Sequence, residues 1–168
     1  MSSPPSLTSS ASTPAPSPLP VTLRPATAAD QPTIRTLIHV VGINPLGLHW
    51  SRFTIAEHDG QFIGCAQLKP HRDGSLELAS VAVWPQYHGR GVGRTLVQHL
   101  VASAPHDLYL TCLAHNEAFY RQFGFSTVTD SPNLSPYFRR IARIMRLLRP
   151  IFGRGRIMFR PHTPETPQ

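Results

Sequence analysis

The chain has 168 residues, of which 40% are hydrophobic, so its length and apolar content suit one domain with a sizeable core. Its formal net charge is +7, and it contains only two cysteines and nine scattered histidines. No paired C-x-x-C or H-x-x-H spacing supports a structural zinc site, and no apolar run is long enough to span a bilayer.

The first twenty residues are mostly Ser, Thr and Pro and carry no charged side chain. They cannot bury enough apolar surface to offset their ordering entropy. We therefore expect a disordered tail over 1–20, a folded domain over 21–160 and a second disordered tail over 161–168. The first tail lacks the features of a secretory signal or a mitochondrial presequence, whereas its composition does not exclude a plastid transit peptide. Cys65 and Cys112 lie in apolar strand-like segments, which predicts reduced thiols and a cytoplasmic protein.

The predicted elements alternate between strands and helices along the chain. VTLRPAT predicts a strand, and Thr27 with Asp30 resembles a capping box for a helix that runs to about Val41. After a loop over 43–50, two strands are joined at Asp59-Gly60, a strong hairpin signal. The remaining predicted elements are a strand at 75–83, a helix to about 103, strand LYLTC, helix NEAFYRQFG, strand FSTVT, an arginine-rich helix from 136 and a closing strand RIMFR.

A glycine-rich loop, YHGRGVGR, stands between the strand at 75–83 and the following helix. Glycine permits tight turns, and a helix start exposes N–H groups that can bind an anion such as phosphate. The alternative is a turn that merely reverses the chain. The spacing G-x-G-x-G fits neither a Walker loop, which needs Gly-Lys-Ser/Thr, nor the dinucleotide pattern G-x-G-x-x-G.

Three segments, taken in order, resemble the GNAT superfamily of N-acetyltransferases. QYHGRG at 86–91 is similar to that family's Q/R-x-x-G-x-G/A loop, Ala82, Val83 and Pro85 are similar to the strand leading into it, and FYRQFGF at 119–125 is similar to its late helix. The resemblance covers about residues 21–160. It implies an α/β fold with a mixed, mostly antiparallel sheet of about seven strands flanked by helices.

The same resemblance implies acetyl-CoA as co-substrate. The strand end would pair with the pantetheine arm and the loop amides would hold the pyrophosphate, where side chains on Gly89, Gly91 or Gly93 would obstruct its approach. Arg90 and Arg94 either add charge at this site or face solvent. The implied coenzyme-binding residues are Val81, Ala82, Val83, Gly89, Arg90, Gly91, Val92, Gly93 and Arg94.

Tyr120, the tyrosine of the FYxxxGF motif, is implied as the acid that protonates the departing thiolate, and its alternative is a packing role beside Phe119. For the base we choose Glu77, which could instead be a strand-edge residue paired with an arginine. His71, Glu57 and His115 are further candidates for the base, as is a chain of water molecules.

One position departs from the family pattern. Many members carry an Asn seven residues before the Tyr, where this chain has Leu113. Asn116 lies only four residues before Tyr120, so no role is transferred to it.

The spacing of residues in the arginine-rich helix predicts an apolar stripe opposite a basic face. The basic face comprises Arg139, Arg140, Arg143, Arg146 and Arg149. The stripe comprises Phe138, Ile141, Ile144, Met145 and Leu148. The basic face is either solvated or binds an acidic acceptor, nucleic acid, an anionic membrane or the adenosine 3′-phosphate. Nucleic acid is not favoured, because aromatic side chains for base stacking are not interleaved with the arginines.

The leading hypothesis is an acetyl-CoA dependent N-acetyltransferase that acts by direct attack of a primary amine on a small molecule or a protein. The alternative is a non-catalytic module that senses acyl-CoA or docks on RNA or membrane through the basic helix. Residues 42–50, the Asp59 hairpin and the loop before Pro136 would shape the acceptor pocket. The protein could be a monomer or, through an exposed edge strand, a homodimer.

Overall fold

A single mixed sheet with helices on both faces organises the chain. The computed structural model describes residues 18–128, 134–147 and 155–162, and within them the strand order is β1-β2-β3-β4-β5-β7-β6. The strands are β1 (Thr22–Pro25), β2 (Phe53–His58), β3 (Gln61–Pro70), β4 (Leu76–Val83), β5 (Leu108–Leu113), β6 (Ser126–Thr127) and β7 (Gly155–Arg160). The helices are α1 (Gln31–Val40), α2 (Val92–Ser103), α3 (Glu117–Arg121) and α4 (Pro136–Leu147). The predicted fold class is confirmed.

The first four strands form an antiparallel meander. The predicted hairpin between β2 and β3 is present, with both Asp59 (φ 49°) and Gly60 (φ 73°) in the left-handed region that a tight two-residue turn requires. The capping box before α1 is also present, because the Thr27 N–H donates to Asp30 Oδ2 at 2.7 Å. Local turn and cap chemistry therefore fixes this half of the sheet.

The second half of the sheet has a strand order that does not follow the chain. β5 is parallel to β4, and the last strand, β7, enters between β5 and β6 and is antiparallel to both. Within the predicted strand FSTVT, Ser126 and Thr127 pair with β7, and the Val128 N–H donates to the Ile157 carbonyl oxygen at 2.9 Å.

Helices cover each face of the sheet with a separate apolar cluster. On one face, α2 buries Val92, Leu96 and Val97 against β3 and β4, and aromatic residues of α3 join this cluster. On the other face, α1 packs over β2 and β3, while α4 packs over β5 and β7.

Cys65 and Cys112 are both free thiols.

Helix α4 follows the predicted amphipathic pattern with one exception. Phe138 is fully buried and stacks on Tyr109 of β5, while the arginines of the helix are exposed. Ile144 was expected in the buried stripe but is 48% exposed, because it lies about 120° around the helix from Phe138. Leu148 and Arg149 fall outside the described residues, as do residues 1–17 and 163–168 of the two expected tails.

Candidate active site at the opening between β4 and β5

The two parallel strands in the middle of the sheet pair only at their beginnings. Leu76 pairs with Leu108 and Glu77 with Tyr109, and among the described residues the pairing of β4 with β5 stops there. Beyond Glu77, the edge of β4 that faces β5 is left without a strand partner. Unpaired N–H and C=O groups along such an edge can bind an extended ligand as an added strand.

A bulge in β4 bends the strand at this opening. Gln67 pairs with Ala79 and Cys65 with Ala82, so two residues of β4 stand opposite one residue of β3. Ser80, one of the two, has φ 54°, and its hydroxyl oxygen accepts a hydrogen bond from Gln67 Nε2 at 2.9 Å. No sequence signal predicts this bulge, because serine is not a residue that marks a left-handed position.

The glycine loop follows β4 and leads into α2. Gly89 (φ 73°) and Gly91 (φ 86°) are both left-handed, and Gly91 occupies the N-cap position of α2. A Cβ added to Gly91 would meet no atom within 4 Å, so its backbone conformation, and not crowding within the protein, requires glycine. The space beside the first N–H groups of α2 is therefore open to an anion.

Gly93 differs from the other two glycines of the loop. It lies inside the first turn of α2, where an added Cβ would sit 3.9 Å from Phe119 Cζ and from Val83 Cγ2, an ordinary contact distance. The protein itself thus has room for a methyl group at this position.

The two arginines of the loop have different surroundings. Arg94 donates a hydrogen bond to Gln122 Oε1, and its guanidinium carbon lies 5.8 Å from the centre of the Phe123 ring. Arg90 has a buried Nε with no hydrogen-bond partner among the described residues. The backbone of Arg90 is held by Leu19, whose N–H donates to the Arg90 carbonyl oxygen at 3.2 Å. Arg90 is therefore the arginine of this loop whose Nε is buried without a described partner.

Backbone atoms at the end of β4 are partly engaged. His88 Nε2 lies 2.8 Å from the carbonyl oxygen of Val83, which ties the loop back to the strand. Ala82 is buried against α1, while Val81 and Val83 are half-buried and pack with the α2 cluster. The strand end and the loop thus form one connected structure.

Glu77 lies where the two strands separate. It is only 7% exposed, and Oε2 is 2.9 Å from Nε2 of His71. The Thr111 hydroxyl of β5 donates to Oε1 at 3.3 Å. Glu77 therefore pairs with a histidine, and no arginine of the described residues forms an ion pair with it. The sequence analysis treats His71 only as a further candidate for the base, whereas in the structure it is the hydrogen-bond partner of Glu77.

Tyr120 stands on the opposite face of the sheet, on α3. It contacts the ring edges of Phe119 and Phe125 and packs in the α2 cluster. Burial raises the pKa of Tyr120 to about 12, and a negative charge on Cys112 would raise it further. The phenol therefore keeps its proton at neutral pH, and no described residue accepts a hydrogen bond from it.

The other candidates for the base are not at the opening with Glu77. Glu57 accepts a hydrogen bond from Arg24 Nε at 2.8 Å and belongs to β2. His115 and Asn116 lie in the short 3-10 turn before α3, and Asn116 makes no side-chain cap there. Leu113 is 50% exposed at the end of β5.

A cavity of about 510 Å³ lies beside the loop that follows α1. Gln31 of α1 holds this loop, because its Nε2 donates to the Leu48 carbonyl oxygen and its Oε1 accepts from the Trp50 N–H. Lys69 of β3, in register with Glu77, reaches the same loop and donates to the Leu46 carbonyl oxygen at 3.4 Å. The cavity is lined by Arg35, Pro45, Gly47, Leu48, His49 and Arg52.

Neither a metal cluster nor a membrane span is found in the part of the chain that the structure describes. No three His, Cys, Asp or Glu side chains there come together as metal ligands. No helix of these ranges combines the length and hydropathy that crossing a bilayer needs.

Comparisons with known proteins agree with this geometry. The family model of the acetyltransferase (GNAT) domain matches residues 49–127. An amino-acid acetyltransferase of Neisseria meningitidis is 36% identical over 94 residues, which is 50% of this chain and 22% of that protein. The chain thus spans about a fifth of the length of this curated relative.

Solved structures show the same architecture. N-acetylglutamate synthase from Neisseria gonorrhoeae, in complex with coenzyme A and L-arginine, superposes with a TM-score of 0.67 and 27% identity, covering 84% of this chain and 33% of that chain. A Mycobacterium tuberculosis protein in complex with coenzyme A superposes with a TM-score of 0.68 and 21% identity, covering 84% of this chain and 99% of that one, and this likeness shows the fold.

Proposed function

Because this chain belongs to the GNAT superfamily of N-acetyltransferases, we propose that it transfers the acetyl group of acetyl-CoA to a primary amine by direct attack. The observation that carries the proposal is the unpaired edge of β4, which ends in the glycine loop and the start of α2. An extended, pyrophosphate-bearing ligand matches this continuous arrangement. The non-catalytic alternative is not favoured, since the similar proteins are acetyltransferases.

The residues of this chain fit acetyl-CoA. The free edge of β4 at Val81 and Val83 would bind the pantetheine amides, and the N–H groups of Val92 to Arg94 would bind the pyrophosphate. The unused Nε of Arg90 adds a charged donor at the same loop. Acetyl-CoA supplies the thioester, and the protein supplies its orientation.

Glu77 and Tyr120 would move the protons of the reaction. An amine must lose a proton to be nucleophilic, and Glu77 is a carboxylate at the opening with an oxygen near exposed Thr111. The departing thiolate needs a proton, and Tyr120 holds one up to a pKa of about 12. The two groups lie on opposite faces of the sheet, so an amine and a thiolate on either side of the opening could each meet one of them.

An amino acid is the acceptor class that we propose. Curated relatives are named amino-acid acetyltransferases, although the chain spans only part of their length. The cavity beside α1 adds support, because two arginines and a histidine line it and no described carboxylate pairs with Arg35 or Arg52. Guanidinium groups suit the carboxylate of an amino acid.

The proposal includes a cytoplasmic location. Its support is chemical: Cys65 and Cys112 are both free, as expected in a reducing compartment.

Two measurements test the proposed function. Calorimetric titration with acetyl-CoA should show binding that a Gly91→Glu variant loses, because the new side chain would place a negative charge where the pyrophosphate binds. Release of free thiol from acetyl-CoA should then depend on an added amino acid, with the twenty standard amino acids and ethylamine as the panel. An Arg35→Gln, Arg52→Gln double variant should raise KM for the amino acid and leave KM for acetyl-CoA unchanged. Absence of acetyl-CoA binding by the unaltered protein would refute the proposal.

A further inference from the structure

His71 lies in the turn between β3 and β4, immediately beside the carboxylate proposed as the base. Its side chain is 6% exposed, and its Nε2 is 2.9 Å from Glu77 Oε2. A buried carboxylate needs hydrogen bonds to remain ionised, and its other bond, from Thr111, is longer at 3.3 Å. The His71 contact is therefore the principal one that Glu77 makes.

The cation expected to pair with Glu77 is directed elsewhere. Lys69 stands directly opposite Glu77 on β3, the position from which a lysine would ordinarily form a cross-strand ion pair. Its ammonium instead reaches the loop after α1 and donates to Leu46. This arrangement leaves His71 as the partner that orients the carboxylate.

The His71 ring is itself held from three directions. Tyr137 of α4 stacks on it with ring centroids 3.6 Å apart and planes inclined by 18°, and Phe138 meets it edge-on at 5.7 Å. The backbone around it is closed, because the His71 N–H donates to the Ser75 carbonyl oxygen at 2.9 Å. Asp73 of the same turn accepts a hydrogen bond from the Tyr137 N–H at 2.7 Å, which fixes α4 to the turn.

From these contacts we propose that His71 is a positioning residue for the base: it donates from Nε2 to Oε2 of Glu77 and so directs Oε1 towards the amine in the opening. This inference rests on the proposed function. An ionised carboxylate only accepts hydrogen bonds, so the shared hydrogen belongs to His71 Nε2. With Oε2 occupied, Oε1 is the oxygen that takes the proton of the amine. The stack with Tyr137 makes the start of α4 a structural part of the site.

The kinetic test compares two substitutions of the same side chain. His71→Leu removes the donor, and we expect kcat with the best amino acid of the panel to fall about 10- to 100-fold, because misplacing a reacting group by about 1 Å can cost about 100-fold. KM for acetyl-CoA should stay unchanged, since His71 is remote from the glycine loop. His71→Gln places an amide N–H near the position of Nε2 and should restore most of the rate. His99→Leu, an exposed histidine of α2, is the matched control and should retain full activity.

Two kinetic outcomes would overturn the inference: a Leu variant with unchanged kcat, or a Gln variant as impaired as the Leu variant, which would indicate packing alone. Glu77→Gln separates this failure from failure of the proposed function. If Glu77→Gln kept full activity, Glu77 would not be the base. If Glu77→Gln were inactive while His71→Leu remained active, only the positioning role of His71 would be rejected.

A second readout needs no turnover. In the ¹⁵N-labelled protein, a long-range ¹H–¹⁵N spectrum should show His71 with its proton on Nε2, and a bare Nε2 would overturn the inference. This measurement tests the donated hydrogen bond even if the Leu variant does not fold or if no amino acid is acetylated.

Discussion

The buried amide of Gln67 holds the hydroxyl of Ser80 at the bulge of β4. The 2.9 Å hydrogen bond joins a fully buried side chain of β3 to a serine whose φ of 54° is uncommon for a residue with a Cβ. The strand changes direction at this residue and then runs to Val83 and the glycine loop. The direction of the proposed coenzyme edge therefore depends on a contact between two neighbouring strands.

Substitutions at Ser80 should show this dependence. Ser80→Gly keeps the left-handed backbone without its steric cost, so its free energy of unfolding should change by less than about 1 kcal/mol despite loss of the hydrogen bond. Ser80→Val should lower the free energy of unfolding by about 2 kcal/mol or more, because a β-branched residue strongly disfavours positive φ, whereas the loss of the Gln67 hydrogen bond is common to both variants. Urea denaturation measures both. Equal stability of the two variants would show that the bulge imposes no strain.

The salt bridge at the start of α1 predicts how stability depends on pH. Arg24 donates from its terminal nitrogens to both oxygens of Asp30, at 2.8 and 2.9 Å, and this contact holds the pKa of Asp30 well below its usual range. A carboxyl with a lowered folded pKa stabilises the fold above its unfolded pKa of about 4, and that contribution is lost as pH falls further.

Asp30→Asn should therefore lower the free energy of unfolding at pH 7 by about 1 to 2 kcal/mol, since it loses the ion pair and weakens the cap on Thr27. The difference between the two proteins should shrink as pH falls from 5 towards 2, measured by urea denaturation at each pH. Asp59→Asn is the control, because Asp59 is exposed in the hairpin turn. A constant difference across this pH range would contradict an ionic origin.

Local chemistry explains why the first half of the fold and the glycine loop could be predicted. Asp59-Gly60 and the capping box act over two to four residues, and Gly89 and Gly91 are left-handed as a tight loop before a helix requires. Each of these signals is complete within its own segment.

Features that depend on distant segments could not be read in this way. The entry of β7 between β5 and β6 depends on how distant strands pair. The contact of His71 with Tyr137 likewise joins residues 66 positions apart in the sequence. Ser80 carries no turn signal, so the bulge follows only from the register of β3 against β4. Family resemblance indicated Glu77, but only the packed structure shows that its partner is His71.

Tyr120→Phe should separate chemistry from stability. If Tyr120 protonates the thiolate, kcat should fall about 100-fold or more. Because no described residue accepts a hydrogen bond from its hydroxyl, the free energy of unfolding and the affinity for acetyl-CoA should stay nearly unchanged. Since the pKa of Tyr120 is about 12, it should not cause a loss of activity between pH 7 and pH 10.

Thiol-release kinetics from pH 6 to pH 10 test this, with calorimetry for binding. Tyr87→Phe, a half-buried tyrosine at the start of the glycine loop, is the control for removing a phenol oxygen near the site. Unchanged kcat in the Tyr120 variant would assign its ring to packing alone.

Gly91 and Gly93 should respond in opposite ways to the same substitution. Gly91→Ala forces a Cβ onto a left-handed residue and should lower the free energy of unfolding by about 1 kcal/mol. Gly93→Ala lies within α2, where the nearest side-chain atoms are 3.9 Å away, and should raise it by about 0.5 to 1 kcal/mol through helix propensity. If pyrophosphate binds against the backbone here, Gly93→Ala should nevertheless weaken acetyl-CoA binding, so that a more stable protein binds its co-substrate less tightly. Thermal unfolding and calorimetric titration of both variants measure this; unchanged affinity in Gly93→Ala would place the pyrophosphate away from that residue.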